Sequence, residues 1–309
     1  MPEGYKVDVE KAVGHKSQQR VSCNRRDFLL YALGVGVPET DLKYLFELRP
    51  DFSVVPSYPL VLGLKGDSSD VVSFANRKDG PIPGIPAYDP SKIVHGEQSL
   101  EVIHPWPLTG GSFISESTII GVYDKGSGMV IEQQVDLYGE KDKKHYSRMI
   151  GKTFVRGYGG WNGPKGPKAT SYKPPQRAPD ATHVFATNTK SAILYRLSGD
   201  YNPLHIDTDL APKVGFKSPI LHGLATFSSS CFGIVKELAG NDASRFKSME
   251  ARFAAPVYPG ETIETYMWKA DSKEPGTQGI IFVAKVKERD LVVVNNGYAV
   301  IYKESQSKL

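Results

Sequence analysis

At about 150 residues per domain, the 309 residues give room for two domains, each with an apolar core. The chain sets 38 basic against 34 acidic side chains, a net charge of +4, with 40% hydrophobic and 23% charged residues; this excludes a disordered tail, and without a basic run or face it offers nucleic acid no footprint. No stretch reaches the 18 or more apolar residues of a membrane span, and Cys23 and Cys231, with no Cys-x-x-Cys spacing, exclude a disulfide framework and point to a reducing compartment.

The N-terminal MPEGYKVDVEKAVGHKSQQR lacks the apolar centre of a secretory signal. Residues 27–34 read as a helix and 54–64 as an apolar segment. Strands are predicted near Gln98–His104, Ser112–Tyr123, Met129–Tyr138 and His145–Val155. Between Arg156 and Asp180 come five glycines and five prolines in 25 residues, a composition through which neither helix nor central strand persists, so this segment is a connector.

Beyond it, Leu221, Leu224, Phe227, Cys231, Ile234 and Leu238 recur at steps of three and four, which predicts a buried helix over 221–238. Four strands follow, at Met249–Ala255, Thr262–Ala270, Ile280–Lys287 and Leu291–Tyr302; Asn296-Gly297 in the last reads as a hairpin turn or as a bulge. Pro107-Leu-Thr-Gly-Gly111 and Pro256-Val-Tyr-Pro-Gly260 open equivalent strand series, which predicts a tandem duplication of an α+β unit, a long helix wrapped by an antiparallel sheet. The expected organisation is therefore an N-terminal repeat over 1–155, a connector over 156–180, a C-terminal repeat over 181–306 and a terminal tripeptide, 307–309. That tripeptide, Ser307-Lys308-Leu309, spells the address read by the peroxisomal import receptor, which makes that receptor an expected partner and the peroxisome the expected location.

Reactive side chains are densest between Tyr195 and Asp209, in YRLSGDYNPLHIDTD. Gly199 and Asn202-Pro203 predict an irregular loop, on which Asp200 and His205 can converge on one water: one group accepts its proton and the other donates later. The plainer reading is a turn-capping Asp200 and a packed His205. Gly223 opens the predicted helix, where backbone N–H groups have no intrahelical acceptor and can hold a developing oxyanion; close helix packing, with His222 as cap or filler, explains the same residues. An EF-hand starting at Asp200 would need glycine and glutamate where His205 and Ala211 stand. The metalloprotease, nucleophile-elbow, P-loop and dinucleotide signatures are absent, so neither a metal nor NAD is expected.

Tyr195–His205 and the following Pro-Ile-Leu-His-Gly-Leu-Ala-Thr-Phe resemble the signature blocks of the MaoC-like, (R)-specific enoyl-CoA hydratase 2 family. The resemblance extends through Ala251-Arg-Phe-Ala-Ala-Pro-Val-Tyr-Pro-Gly260, Tyr31–Gly36, His95-Gly-Glu-Gln98 and Asp124-Lys-Gly-Ser-Gly128, and runs closest to the hydratase 2 unit of peroxisomal multifunctional enzymes of type 2. It implies a double hot-dog fold whose second repeat carries the one active site, while the first accommodates the acyl tail. It implies hydration of trans-2-enoyl-CoA to the (3R)-hydroxyacyl product, with an acyl-CoA thioester as substrate and no cofactor beyond the coenzyme A this carries. Asp200 and His205 would activate water, Asn202 would support the loop and touch ligand, Gly223 would face the thioester oxygen, and Glu97 matches a glutamate needed for activity. Tyr138, Gly139, Phe253 and a connector lysine, Lys168 or its neighbour Lys165, would meet the substrate; hot-dog relatives pair, so a homodimer is expected. A dehydratase acting on another CoA-linked hydroxyacyl intermediate and a silent acyl-CoA-binding protein are the alternatives.

Overall fold

Among the described residues, 5–71, 80–168 and 170–306, the computed structural model shows a ten-stranded antiparallel sheet with six α-helices on and around it. The first half runs α1 (Val9–Ala12), β1 (Lys16–Asn24), α2 (Arg25–Gly34), α3 (Pro59–Lys65), β2 (Ile93–Val102), β3 (Gly110–Asp124), β4 (Gly128–Gly139) and β5 (His145–Arg156). The second runs β6 (Ala181–Ala186), α4 (Ser191–Arg196), α5 (Leu210–Lys213), α6 (Gly223–Leu238), β7 (Phe246–Phe253), β8 (Thr262–Ala270), β9 (Thr277–Val286) and β10 (Leu291–Tyr302). The address Ser307-Lys308-Leu309 lies outside the described residues.

The strand order is β1-β3-β4-β5-β2-β7-β10-β9-β8-β6. Read inward from each edge, the halves share one connectivity: β1-β3-β4-β5-β2 corresponds strand for strand to β6-β8-β9-β10-β7, and they meet where β2 pairs with β7. The two Pro-x-x-x-Gly segments occupy corresponding stations, one leading from β2 into the start of β3 and the other from β7 to β8. This α+β arrangement is a double hot-dog.

Alternation along the strands fixes two faces. Leu100, Phe113, Leu137, Met149, Met249 and Ala251 share a core with Phe227, Cys231, Phe232 and Ile234 of α6, so their side of the sheet is the inner, helix-bearing face. Residues 224–235 of α6 are buried without a break; at about 1.5–3 kcal/mol for each large apolar side chain, the helix is the principal anchor of the second half. The first half departs from the expected long helix: Pro59 starts α3 only seven residues before Gly66, which stands at φ +71° and ends it. Asn24 opens α2 with a reciprocal capping box to Asp27.

Asn296-Gly297 forms a bulge rather than a hairpin. β10 stays paired with β7 and β9 on either side of it, the register shifting between Asn295 and Tyr298. Asn296 takes φ +51°, and its amide ties down the connector, accepting from Tyr172 N–H at 2.8 Å and donating to Thr170 O at 2.9 Å. At the connector's other end, Asp124 accepts from the N–H groups of Gly126 and Gly160, both at 2.8 Å.

Candidate active site

The loop between α4 and α6 carries the reactive cluster. Gly199 must be glycine: at φ +132°, a β-carbon there would stand 2.5 Å from the backbone nitrogen of Lys65 in α3. This close approach turns the chain toward Asp200. The Asp200 side chain accepts from Asn202 N–H at 3.3 Å, and Asn202 caps the 3₁₀ turn Pro203–His205 by accepting from Leu204 N–H at 3.0 Å. A carboxylate oxygen of Asp200 and a ring nitrogen of each of His205 and His222 lie within 4.8 Å of one another. Hydrogen bonds of about 2.8 Å on each side let one water span up to roughly 5.6 Å, so Asp200 and His205 can hold the same molecule.

His205 is 8% exposed, and its Nδ1 lies 2.8 Å from Ile220 O. A carbonyl only accepts, so Nδ1 carries the proton and Nε2 keeps a lone pair, the tautomer a general base needs. Burial holds the His205 pKa below the ordinary imidazole value, against the opposing pull of Asp200. His222, 1% exposed, donates from Nε2 to Asp200 O at 3.1 Å, and its ring stacks on His205 with centroids 3.5 Å apart. These three side chains are the His/Asp group among the described residues that could close on a metal ion, although Nδ1 of His205 and Nε2 of His222 already bond to carbonyls.

Gly223 is the first residue of α6 and is exposed, so its N–H looks out from the helix start next to His222. A β-carbon at Gly223 would stand 3.3 Å from the Phe253 ring. Phe253 in turn packs against His95 of the first half, with ring centroids 4.8 Å apart. His95 pairs in register with Thr153, which alternation from Met149 places on the inner face, and it lies within electrostatic reach of Asp200. The loop, the helix start and one residue from the other repeat thus come together here. Nothing in the sequence pattern marked His95 or His222 as a member of it, although each stands beside a glycine, Gly96 and Gly223, in the blocks that carry the resemblance.

Glu97 is not among these groups. A bulge at Gly96 shifts the register between His95 and Glu97, so Glu97 pairs with Lys152 and Arg252 on the outer face. There Glu97 bonds Lys152 Nζ at 2.6 Å and Arg252 Nε at 2.9 Å. It lines an outer recess of about 360 Å³ with Lys125, Pro167 and the Phe253 segment. The structure thus places Glu97 against Lys152 and Arg252 rather than in the group of Asp200, His205 and His222. Tyr138 and Gly139 line a different recess with Gln18, Glu116 and Lys143. Tyr138 pairs with His145 and Glu97 with Lys152, seven residues apart on β5, roughly 23 Å at 3.3 Å per residue. Lys168 is exposed in the connector beyond Pro167, while Lys165 stands 3.7 Å from Asp124.

A carboxylate and an imidazole thus lie together on one loop, next to the start of α6, on a double hot-dog frame. Residues 22–157 match the MFE-2 hydratase 2 N-terminal domain and residues 170–291 the MaoC like domain. Peroxisomal multifunctional enzyme type 2 of Mus musculus is 41% identical over 297 residues, covering 93% of this chain; the chain spans only 38% of that protein. The probable enoyl-CoA hydratase 2 of Dictyostelium discoideum is 38% identical over 298 residues, covering 96% of this chain and 97% of that one. A MaoC-like dehydratase from Phytophthora capsici superposes with a TM-score of 0.88 at 38% identity, covering 98% and 100% of the two chains. A Mycobacterium tuberculosis protein described as a double hotdog fold shares the fold alone, with 12% identity and a TM-score of 0.57 over 95% of this chain and 97% of that one. The chain belongs to the MaoC-like enoyl-CoA hydratase 2 family, and it is an enzyme of the hydratase/dehydratase kind.

Proposed function

We propose that the protein adds water reversibly and with syn geometry to trans-2-enoyl-CoA, giving (3R)-3-hydroxyacyl-CoA. The observation that carries this reading is that a carboxylate oxygen of Asp200 and a ring nitrogen of each of His205 and His222 lie within 4.8 Å of one another at the start of α6. Water held between carboxylate and imidazole attacks C3 as one group takes its proton, and C2 receives a proton from the same side. The charge that gathers on the thioester oxygen meets the Gly223 N–H and the positive end of α6. Acid, base and oxyanion donor answer each demand of this chemistry, so it calls for no cofactor beyond the coenzyme A of the substrate. Phe253 packs at the reacting end, and the short α3 leaves the first repeat without a long central helix, which favours that repeat as the place for the acyl tail.

The same reading places the enzyme in peroxisomal fatty-acid β-oxidation as a homodimer. Ser307-Lys308-Leu309 and the peroxisomal relatives support the location. The decisive assay follows loss of enoyl conjugation in crotonyl-CoA and decenoyl-CoA, with product chirality resolved. Asp200→Asn and His205→Gln should each lower kcat at least about 100-fold while the melting temperature holds. Near-normal turnover by either variant, or an (S) product, rejects the reading.

A further inference from the structure

We propose that His222 is a positioning residue of this active site: its ring fixes the plane of His205 by stacking, its N–H fixes the Asp200 backbone, and its own main chain begins the helix that presents Gly223. The inference rests on the hydratase reading and adds the part that holds the base, the acid loop and the oxyanion amide in one register.

His222 is the residue that touches all three. Its ring lies between His205, with centroids 3.5 Å apart at 24°, and Tyr195, with centroids 4.9 Å apart. Tyr195 is itself fully buried and packs closely on α2, where a β-carbon on Gly34 would stand 3.2 Å from its Cα. The Nε2–H of His222 reaches Asp200 O at 3.1 Å, across 22 residues of chain. The His222 carbonyl accepts from Ala225 N–H at 3.0 Å and so closes the first turn of α6, while Leu221 N–H is tied to Val257 O at 2.8 Å. A misplacement of about 1 Å among reacting groups can cost about 100-fold in rate, and the stack on His222 joins the Nδ1 bond to Ile220 O in holding the tilt of the His205 ring.

The residue type follows from the two tasks. A phenyl ring could stack but not donate, and a carboxamide could donate but offers no aromatic face. The imidazole does both and, enclosed as it is, stays neutral: burial, reinforced by the neighbouring His205, takes its pKa down to about 3. Once His205 has accepted the water's proton, its new charge therefore rests against an uncharged ring rather than a second cation.

The test compares the full chain with His222→Phe, which keeps the ring, His222→Gln, which keeps a donor near the Nε2 position, and His222→Ala, which keeps neither. Turnover of decenoyl-CoA is measured well below each variant's melting temperature, alongside calorimetric binding of decanoyl-CoA, a saturated non-reacting analogue. Expected are losses in kcat of about 10- to 100-fold for Phe and for Gln, a further loss for Ala, and KM and analogue Kd within about threefold of the parent. A kcat within about threefold of the parent for either Phe or Gln, or a loss that appears in KM and analogue Kd instead, overturns the proposal. Failure of the hydratase reading itself looks different: the parent chain binds decanoyl-CoA but hydrates nothing.

Discussion

Glu97 and His95 stand two positions apart and in a regular strand would share a face. Gly96 adds one residue to β2 against Lys152 and Thr153, and the two side chains part to opposite sides of the sheet. Outside, Glu97 joins a ladder of alternating charge across four strands: Glu132, Lys152, Glu97 and Arg252. Burial alone would raise the Glu97 carboxyl, but hydrogen bonds and charge from Lys152 and Arg252 outweigh it and hold the pKa below the ordinary value of 4.5. A carboxylate depressed in this way stabilises the fold above the unfolded-state pKa and loses that contribution as pH falls through the folded-state value. Glu97→Gln should therefore cost about 1 kcal/mol at pH 7, seen as a melting temperature lower by ~2–4 °C, with the gap closing below pH ~4.5. Its kcat should stay within about tenfold of the parent. A 100-fold loss of turnover with an unchanged melting curve would return Glu97 to the chemistry.

At the scale of elements, α6 offers a direct test of the oxyanion assignment. Proline is tolerated at the first position of a helix, where the N–H it lacks would have no helical partner. His222 already has φ −59° and ψ 133°, the extended backbone that a residue before proline prefers. Gly223→Pro thus removes the donor without straining the backbone, while its β-carbon meets Phe253 as that of alanine would, and kcat should fall about 100- to 1,000-fold while the helical circular dichroism is kept. Gly223→Ala keeps the donor and only crowds Phe253, so its loss should be smaller, about tenfold; equal losses in the two variants would sink the amide's role. α6 was legible because its apolar residues repeat at helical spacing, and eight of the ten strands, all but β1 and β6, follow from alternation of the kind seen in β3 and β8. β1 and β6 were not read as strands: KSQQRVSCN shows one buried residue in its first six, as an exposed edge permits, and ATHVFA is only six residues long. The chemistry of Asp200, His205 and Gly223 could be read because loop and helix-start residues have local signatures. His222 and His95 could not, since their place depends on a ring 17 positions away in one case and on the other repeat in the second.

For the molecule as a whole, the consequence of burying its imidazoles is a stability that depends on pH near neutrality. His95, His183, His205 and His222 all have pKa values lowered chiefly by burial, His183 to about 4 and His222 to about 3. His183 lies far from the chemistry in role: its ring packs against α6 where Gly233 makes room, since a β-carbon there would stand 2.6 Å from it. The unfolded chain takes up protons at these positions near pH 6.5 and the folded chain does not, so stability is full above that value and is lost as pH falls below it. One pH unit below 6.5 costs about 1.4 kcal/mol for each histidine still neutral in the fold. His183 and His222 together then contribute a loss of about 3 kcal/mol between pH 7.5 and 5.5, or ~6–12 °C in melting temperature. Replacing the packed ring by a neutral one, His183→Phe, should leave activity intact and remove about 1.4 kcal/mol of that acid-side loss, whatever it does to stability at pH 7.5. A melting temperature that is flat from pH 7.5 to 5.5 in the parent, or a slope unchanged in His183→Phe, would show that these imidazoles take up protons in the folded state, and with them the neutral His222 on which the stacked pair depends would be lost.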